Sequence, residues 1–76
     1  MKVKLIEAQY VKEAQSILYI VEKNDEKARL QVHRKNIAKF GNRSEREIVI
    51  EMEKYVEGLN KIYQGKEITI EQEEEE

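Results

Sequence analysis

The chain has 76 residues, of which 39% are charged and 39% hydrophobic, and its formal net charge is −2. This length provides one hydrophobic core, and the absence of cysteine excludes disulfides, thiol catalysis and cysteine-ligated metals. The longest apolar run, Ile17–Val21, is far shorter than the ~20 residues of a membrane helix, and a charge interrupts the N-terminus before any signal-peptide core. We therefore expect a cytoplasmic protein, and the composition, rich in Glu, Lys and Ile without proline, is typical of thermophiles.

The first 22 residues fit two different periodicities. Short alternating and β-branched runs predict two strands, over about 2–11 and 16–22, with a turn near 13–15. The apolar residues of the same segment also match one stripe of a helix over about 7–22. Two strands are the preferred interpretation, and the helix stays open as the alternative.

The next segment predicts a third strand and a short turn. Ala28, Leu30 and Val32 alternate with polar residues, and the polar stretch 22–27, which contains Asn-Asp, joins them to the preceding apolar run as a β-hairpin. Further on, Ile37 and Phe40 are spaced i, i+3, which predicts a single helical turn that tucks both side chains against the edge of the sheet.

The strongest pattern is a helix over about 45–64, where apolar residues recur at helical spacing. Ser44 and Glu47 form a capping-box pattern at its start, and Gly65 stands where a left-handed C-terminal cap belongs. The alternating segment 66–71 predicts a last strand, and the acidic residues 72–76 are expected to be disordered. The predicted fold is therefore one α+β domain over residues 1–71, in the order β-β-β-α-β, with the helix on one face of an antiparallel sheet.

Charge is distributed unevenly along the chain. Residues 1–70 carry a net charge of +3, the segment 27–43 carries +6 without an acid, and the segment 45–57 carries −3. An acid-free basic segment favours a surface for nucleic acid, for another polyanion or for an acidic protein. The predicted contact residues are Lys27, Arg29, His33, Arg34, Lys35, Lys39, Phe40 and Arg43. The alternative is that these charges are solvated and pair with the glutamates of the helix.

The second hypothesis rests on a strand that is apolar on both sides. One helix covers one face of a sheet, so Leu18 and Ile20, which point away from Ile17 and Tyr19, would form an uncovered patch. Such a patch predicts a homodimer or another protein interface. The alternative is that the loop with Ile37 and Phe40 folds over this face and hides it.

The sequence contains no constellation typical of an enzyme. His33 is the only histidine and lies in a basic segment, and no glycine-rich phosphate loop is present. Pairs of glutamates at helical spacing belong to the solvent side of the predicted helix. We therefore expect a non-enzymatic module with no catalytic residue, no metal, no cofactor and no small-molecule substrate.

Overall fold

Four strands and one α-helix account for most of the described chain. In this computed structural model, residues 2–70 are described, and they form the elements β1 (Lys2–Val11), β2 (Ser16–Lys23), β3 (Glu26–His33), a 3₁₀ turn (Arg34–Asn36), α1 (Glu45–Tyr63) and β4 (Glu67–Thr69). The predicted order β-β-β-α-β is confirmed, and the alternative helix over 7–22 is wrong. The predicted disorder of residues 72–76 lies outside the described residues.

The strands form one antiparallel sheet in the order β3-β2-β1-β4. A two-residue turn joins β2 to β3, and its residues Asn24 and Asp25 have φ of 54° and 65°. Two left-handed residues in a two-residue loop define a type I′ turn, whose twist matches that of the flanking strands. Asparagine and aspartate tolerate this conformation better than other non-glycine residues, so the local sequence fixes the register of the hairpin.

The hydrophobic core lies between the sheet and α1. Ile17 and Val21 of β2 and Leu5 of β1 are its largest fully buried side chains, and Met52 and Val56 cover them from the helix. Each side chain of this size contributes about 1.5–3 kcal/mol when it is fully buried. The apolar stripe of the helix therefore packs against the apolar face of the strands, as the two sequence periodicities predict.

The predicted N-cap is present, and Gly65 has the predicted left-handed conformation, but its N–H bonds to Leu5 of β1 rather than to the helix. The Ser44 Oγ accepts a hydrogen bond of 3.3 Å from the Glu47 backbone N–H and donates one to the Glu47 carboxylate. At the other end, Gly65 has a φ of +81°, a conformation that costs glycine no steric strain. The helix begins and ends within one residue of the predicted bounds, and the chain then turns back towards β1.

The helix lies over β1 rather than over the middle of the sheet. Asn60 is hydrogen-bonded to Ala8 of β1, and packing of the helix on the sheet is concentrated on that strand. A hollow of about 550 Å³ lies between the helix and the sheet, and its lining includes Tyr19, Val32 of β3 and Ile68 of β4. Most of the helix-side residues of β1 and β2 are buried, whereas Leu30 and Val32 of β3 are only half-buried.

The loop between the 3₁₀ turn and α1 lies on the helix side of the sheet. Ile37 and Phe40 pack against the core and line a hollow together with Met52 and Tyr55 of α1. The alternative in which this loop hides the opposite face is therefore wrong. The physical reason is that the helix side offers more apolar surface to these two side chains than the polar opposite face does.

Candidate polyanion-binding site

The sheet face that points away from α1 carries the basic side chains of β3; we call it the open face. The register pairs Leu30 with Tyr19 and Val32 with Ile17, and both partners are buried on the helix side. Because successive side chains of a strand alternate, the odd-numbered positions of β3 belong to the open face. These positions form a basic row at steps of about 6.7 Å, and they are Lys27, Arg29, Gln31 and His33.

Neighbouring strands determine how much of this charge is balanced. Lys27 lies opposite Glu22, which lies opposite Lys4, which in turn lies opposite Glu67. This cross-strand ladder alternates in sign, so each charge in it has an opposite neighbour. Arg29, by contrast, lies opposite the apolar Ile20. The unbalanced part of the basic row therefore begins at Arg29.

The predicted interface residues Leu18 and Ile20 lie in the middle of the open face. They are opposite Gln31 and Arg29 on one side, and Ile20 is opposite Glu7 on the other. Both apolar side chains are half-buried between these polar neighbours. The apolar part of the open face is consequently a narrow strip, bordered by side chains that donate and accept hydrogen bonds.

Arg34 has a structural environment, unlike the other basic residues. Its side chain is 11% exposed, donates two hydrogen bonds of 2.7 Å to the Glu45 carboxylate and a third of 3.1 Å to the Tyr10 hydroxyl. The carboxylate raises the pKa of Arg34, and the guanidinium lowers the pKa of Glu45. This bidentate pair ties the 3₁₀ turn to the start of α1, so the charge of Arg34 is balanced inside the fold.

Two further predicted contact residues are also engaged by α1. Arg43 forms an ion pair with Glu51. Phe40 is half-buried beside Met52 and Tyr55, with which it lines a hollow on the helix side. The structure therefore places the ring of Phe40 on the other side of the sheet from Arg29.

The remaining basic residues are accessible. Lys35 and Lys39 are exposed, and among residues 2–70 the ion pairs are only those of Arg34 and Arg43. The Nδ1 atom of His33 accepts a hydrogen bond of 3.2 Å from the Lys35 backbone N–H. A neutral imidazole then carries its proton on Nε2, which makes Nε2 a donor. The accessible set follows β3 into the next turn, and it is Lys27, Arg29, His33, Lys35 and Lys39.

Cross-strand register adds two basic residues that the sequence reasoning missed. Lys2 and Lys4 of β1 also belong to the open face, with Lys2 opposite Thr69 and Lys4 opposite Glu67. Because Lys2 and Lys4 alternate with Val3 and Leu5, the sequence indicates that the two lysines share one face of β1. Only the pairing of the strands shows that this face is the one that carries the basic row of β3. Lys4 belongs to the balanced charge ladder, so it adds little unbalanced charge.

No protein-family model, curated protein or solved structure matches the chain. Within residues 2–70, no helix is both long and apolar enough to cross a membrane. Over the same residues, no group of three or more His, Cys, Asp or Glu side chains is arranged to hold a metal ion.

Proposed function

We propose that the chain is a non-enzymatic, cytoplasmic module that binds a polyanion, and specifically a nucleic-acid strand, along the basic row of β3. The observation that supports this function most is the exposure of the cations of β3 and of the turn and loop that follow it. Arg29, Lys35 and Lys39 supply the unbalanced charge of this surface. Lys27 and His33 extend it, and Arg34, Phe40 and Arg43 serve the fold.

The proposed binding mode follows from the geometry of the open face. Phosphates contact the cations and release counterions, which supplies affinity without reading the sequence. The apolar strip of Leu18 and Ile20 lies beside this row and gives the bases a neutral surface, while Gln31 offers a donor and an acceptor to base edges. No phenylalanine or tyrosine side chain among residues 2–70 belongs to the open face, and the one aromatic ring there is the imidazole of His33. With little base stacking, we expect weak and sequence-tolerant binding, with a Kd of about 10⁻⁵ M at low salt.

Fluorescence anisotropy with labelled single- and double-stranded oligonucleotides tests the proposal. The row variant removes Arg29 of the basic row and the two exposed lysines that follow the row in the chain, through Arg29→Gln, Lys35→Gln and Lys39→Gln. The control variant removes three cations from the exposed surface of α1 through Arg46→Gln, Lys54→Gln and Lys61→Gln, so both variants have the same net charge.

We expect the row variant to lose at least about tenfold in affinity and the control variant to stay within about threefold of the unmodified chain. Equal losses in both variants would mean that only net charge matters, and no binding at high micromolar protein would remove the function. A polyglutamate peptide that competes as well as the oligonucleotide would instead identify an acidic protein as the partner.

A second candidate function is self-association through the open face. It is favoured by the position of the loop, since Ile37 and Phe40 lie on the helix side and leave Leu18 and Ile20 without a cover among the described residues. Light scattering tests it directly: a dimer of this kind dissociates when Leu18→Lys or Ile20→Lys is introduced. A mass that neither substitution changes would rule out this face.

A further inference from the structure

The two edges of the sheet differ in how many of their backbone groups are already hydrogen-bonded. On the outer side of β1, beyond the short strand β4, segments from the end of α1 occupy the free backbone groups. The Asn60 carboxamide binds both backbone groups of Ala8, at 2.7 and 2.9 Å. Two residues of the chain reversal complete this block: Gly65 donates to the Leu5 carbonyl at 2.7 Å, and the Gln64 side chain donates to the Ile6 carbonyl at 3.0 Å. This part of β1 is therefore closed to another strand.

The opposite edge, on β3, is open. The type I′ turn closes with a hydrogen-bonded pair at Lys23 and Glu26, and the alternation of an antiparallel ladder then turns the backbone groups of Lys27, Arg29 and Gln31 away from β2. No backbone or side-chain group among residues 2–70 bonds to these outward groups. Three features that block an edge are missing from β3: it is eight residues long rather than short, it contains no proline, and its pairing with β2 has no bulge. Its charged side chains, Lys27 and Arg29, oppose edge pairing only in registers that place like charges opposite each other.

We infer that this edge pairs with β3 of a second copy of the chain, antiparallel, about a two-fold axis that passes beside Leu30 and is perpendicular to the sheet. Such an axis keeps both helices on the same side of one eight-stranded sheet. It therefore allows only registers in which helix-side residues face helix-side residues. The outward backbone groups of one copy then meet those of the other, as the ladder requires.

Charge and apolar complementarity select the register among these choices. An axis at Arg29 would place two guanidinium groups directly opposite each other, which is unfavourable. An axis at Gln31 would pair only residues 29–33 of the two strands, because β3 ends at His33. An axis at Leu30 aligns the two Leu30 side chains and places Arg29 opposite Gln31.

The Leu30 register also continues the apolar surface from one copy to the next. It places Ala28 opposite Val32 of the second copy, so an unbroken apolar row crosses the interface on the helix side. Residues 27–33 of both strands take part. The basic rows of the two copies come side by side on the open face, which favours association at higher salt, because salt screens their repulsion.

Single-cysteine variants test this interface by disulfide cross-linking. No other cysteine can cross-link, because the chain has none of its own. In the proposed pairing, the two Leu30 residues form a non-hydrogen-bonded pair. The Cα atoms of such a pair lie about 4.5 Å apart, within the range that a disulfide spans. We expect Leu30→Cys to form a covalent dimer on mild oxidation. Ala28→Cys and Val32→Cys each form little dimer alone but a heterodimer when mixed. The control Ala38→Cys, in the exposed loop, reports random collision.

A second variant separates the interface from the fold. Gln31→Pro removes an outward N–H that β2 does not use, so the monomer keeps its circular dichroism spectrum while the Leu30→Cys cross-link disappears. Two results overturn the inference: Leu30→Cys cross-links no faster than Ala38→Cys, or light scattering finds a dimer whose mass Gln31→Pro does not change. The test contains no nucleic acid, so its outcome is independent of polyanion binding.

Discussion

The carboxamide of Asn60 holds α1 against the sheet, and its removal is the sharpest stability test of the fold. Its Oδ1 accepts from the Ala8 backbone N–H, and its Nδ2 donates to the Ala8 carbonyl. Ala8 is only 2% exposed. Asn60→Ala therefore leaves one donor and one acceptor of the backbone without a partner at a site that water reaches poorly.

The expected cost follows from these two groups. An unsatisfied buried donor or acceptor costs about 1–3 kcal/mol, so the pair costs about 2–6 kcal/mol before relaxation. Alanine has a higher helix propensity than asparagine, which offsets about 0.6 kcal/mol. We expect a net loss of about 2–4 kcal/mol. That is a large part of the roughly 4–11 kcal/mol expected for a domain of this length.

Urea unfolding followed by circular dichroism measures this loss. The midpoint should fall markedly in Asn60→Ala while the slope of the transition stays the same. The control is Gln64→Ala, which removes a single exposed hydrogen bond to the Ile6 carbonyl and should cost less than about 1 kcal/mol. A loss below about 0.5 kcal/mol for Asn60→Ala would show that the helix is held by its apolar stripe alone.

Two further predictions concern the ion pairs and the buried tyrosine. Arg34→Ala should lower Tm by at least about 5 °C and Arg43→Ala by less than about 2 °C, because only Arg34 is buried and bidentate; similar shifts in a thermal melt would contradict this. Burial, helped by the neighbouring Tyr55, raises the pKa of Tyr19 to about 12. The stabilisation that the neutral phenol provides is therefore complete below about pH 10 and is lost as the pH rises towards 12. Urea unfolding at pH 9 and 11.5 should show a smaller alkaline loss in Tyr19→Phe, and an equal loss would exclude this origin.

The elements of the fold could be predicted because local signals agreed with one another. Ser44 and Gly65 indicated where the helix begins and ends, and the Asn-Asp pair indicated the turn of the hairpin. Residues 7–22 were ambiguous because their apolar residues satisfy both the helical and the strand period. Only pairing with distant strands decides between those two periods, and pairing is not a local property.

The candidate site was harder to predict, since a charge run does not reveal which charges are already paired. Arg34 and Arg43 belong to the same acid-free segment as Arg29, but tertiary packing brings Glu45 and Glu51 to them. The position of Phe40 depended on the lateral placement of α1, which sequence periodicity does not contain. Alternation did predict correctly that Arg29 and His33 share one face of β3.

The salt dependence of oligonucleotide binding tests the central claim, that the row of β3 is the contact surface for phosphates. The three unbalanced cations, Arg29, Lys35 and Lys39, predict a slope of about −2 for log K against log salt concentration with a single strand. The row variant, which lacks all three, should bring the slope close to zero, and the control variant on α1 should leave it at about −2. A slope that is the same in all three proteins would contradict the assignment of the row.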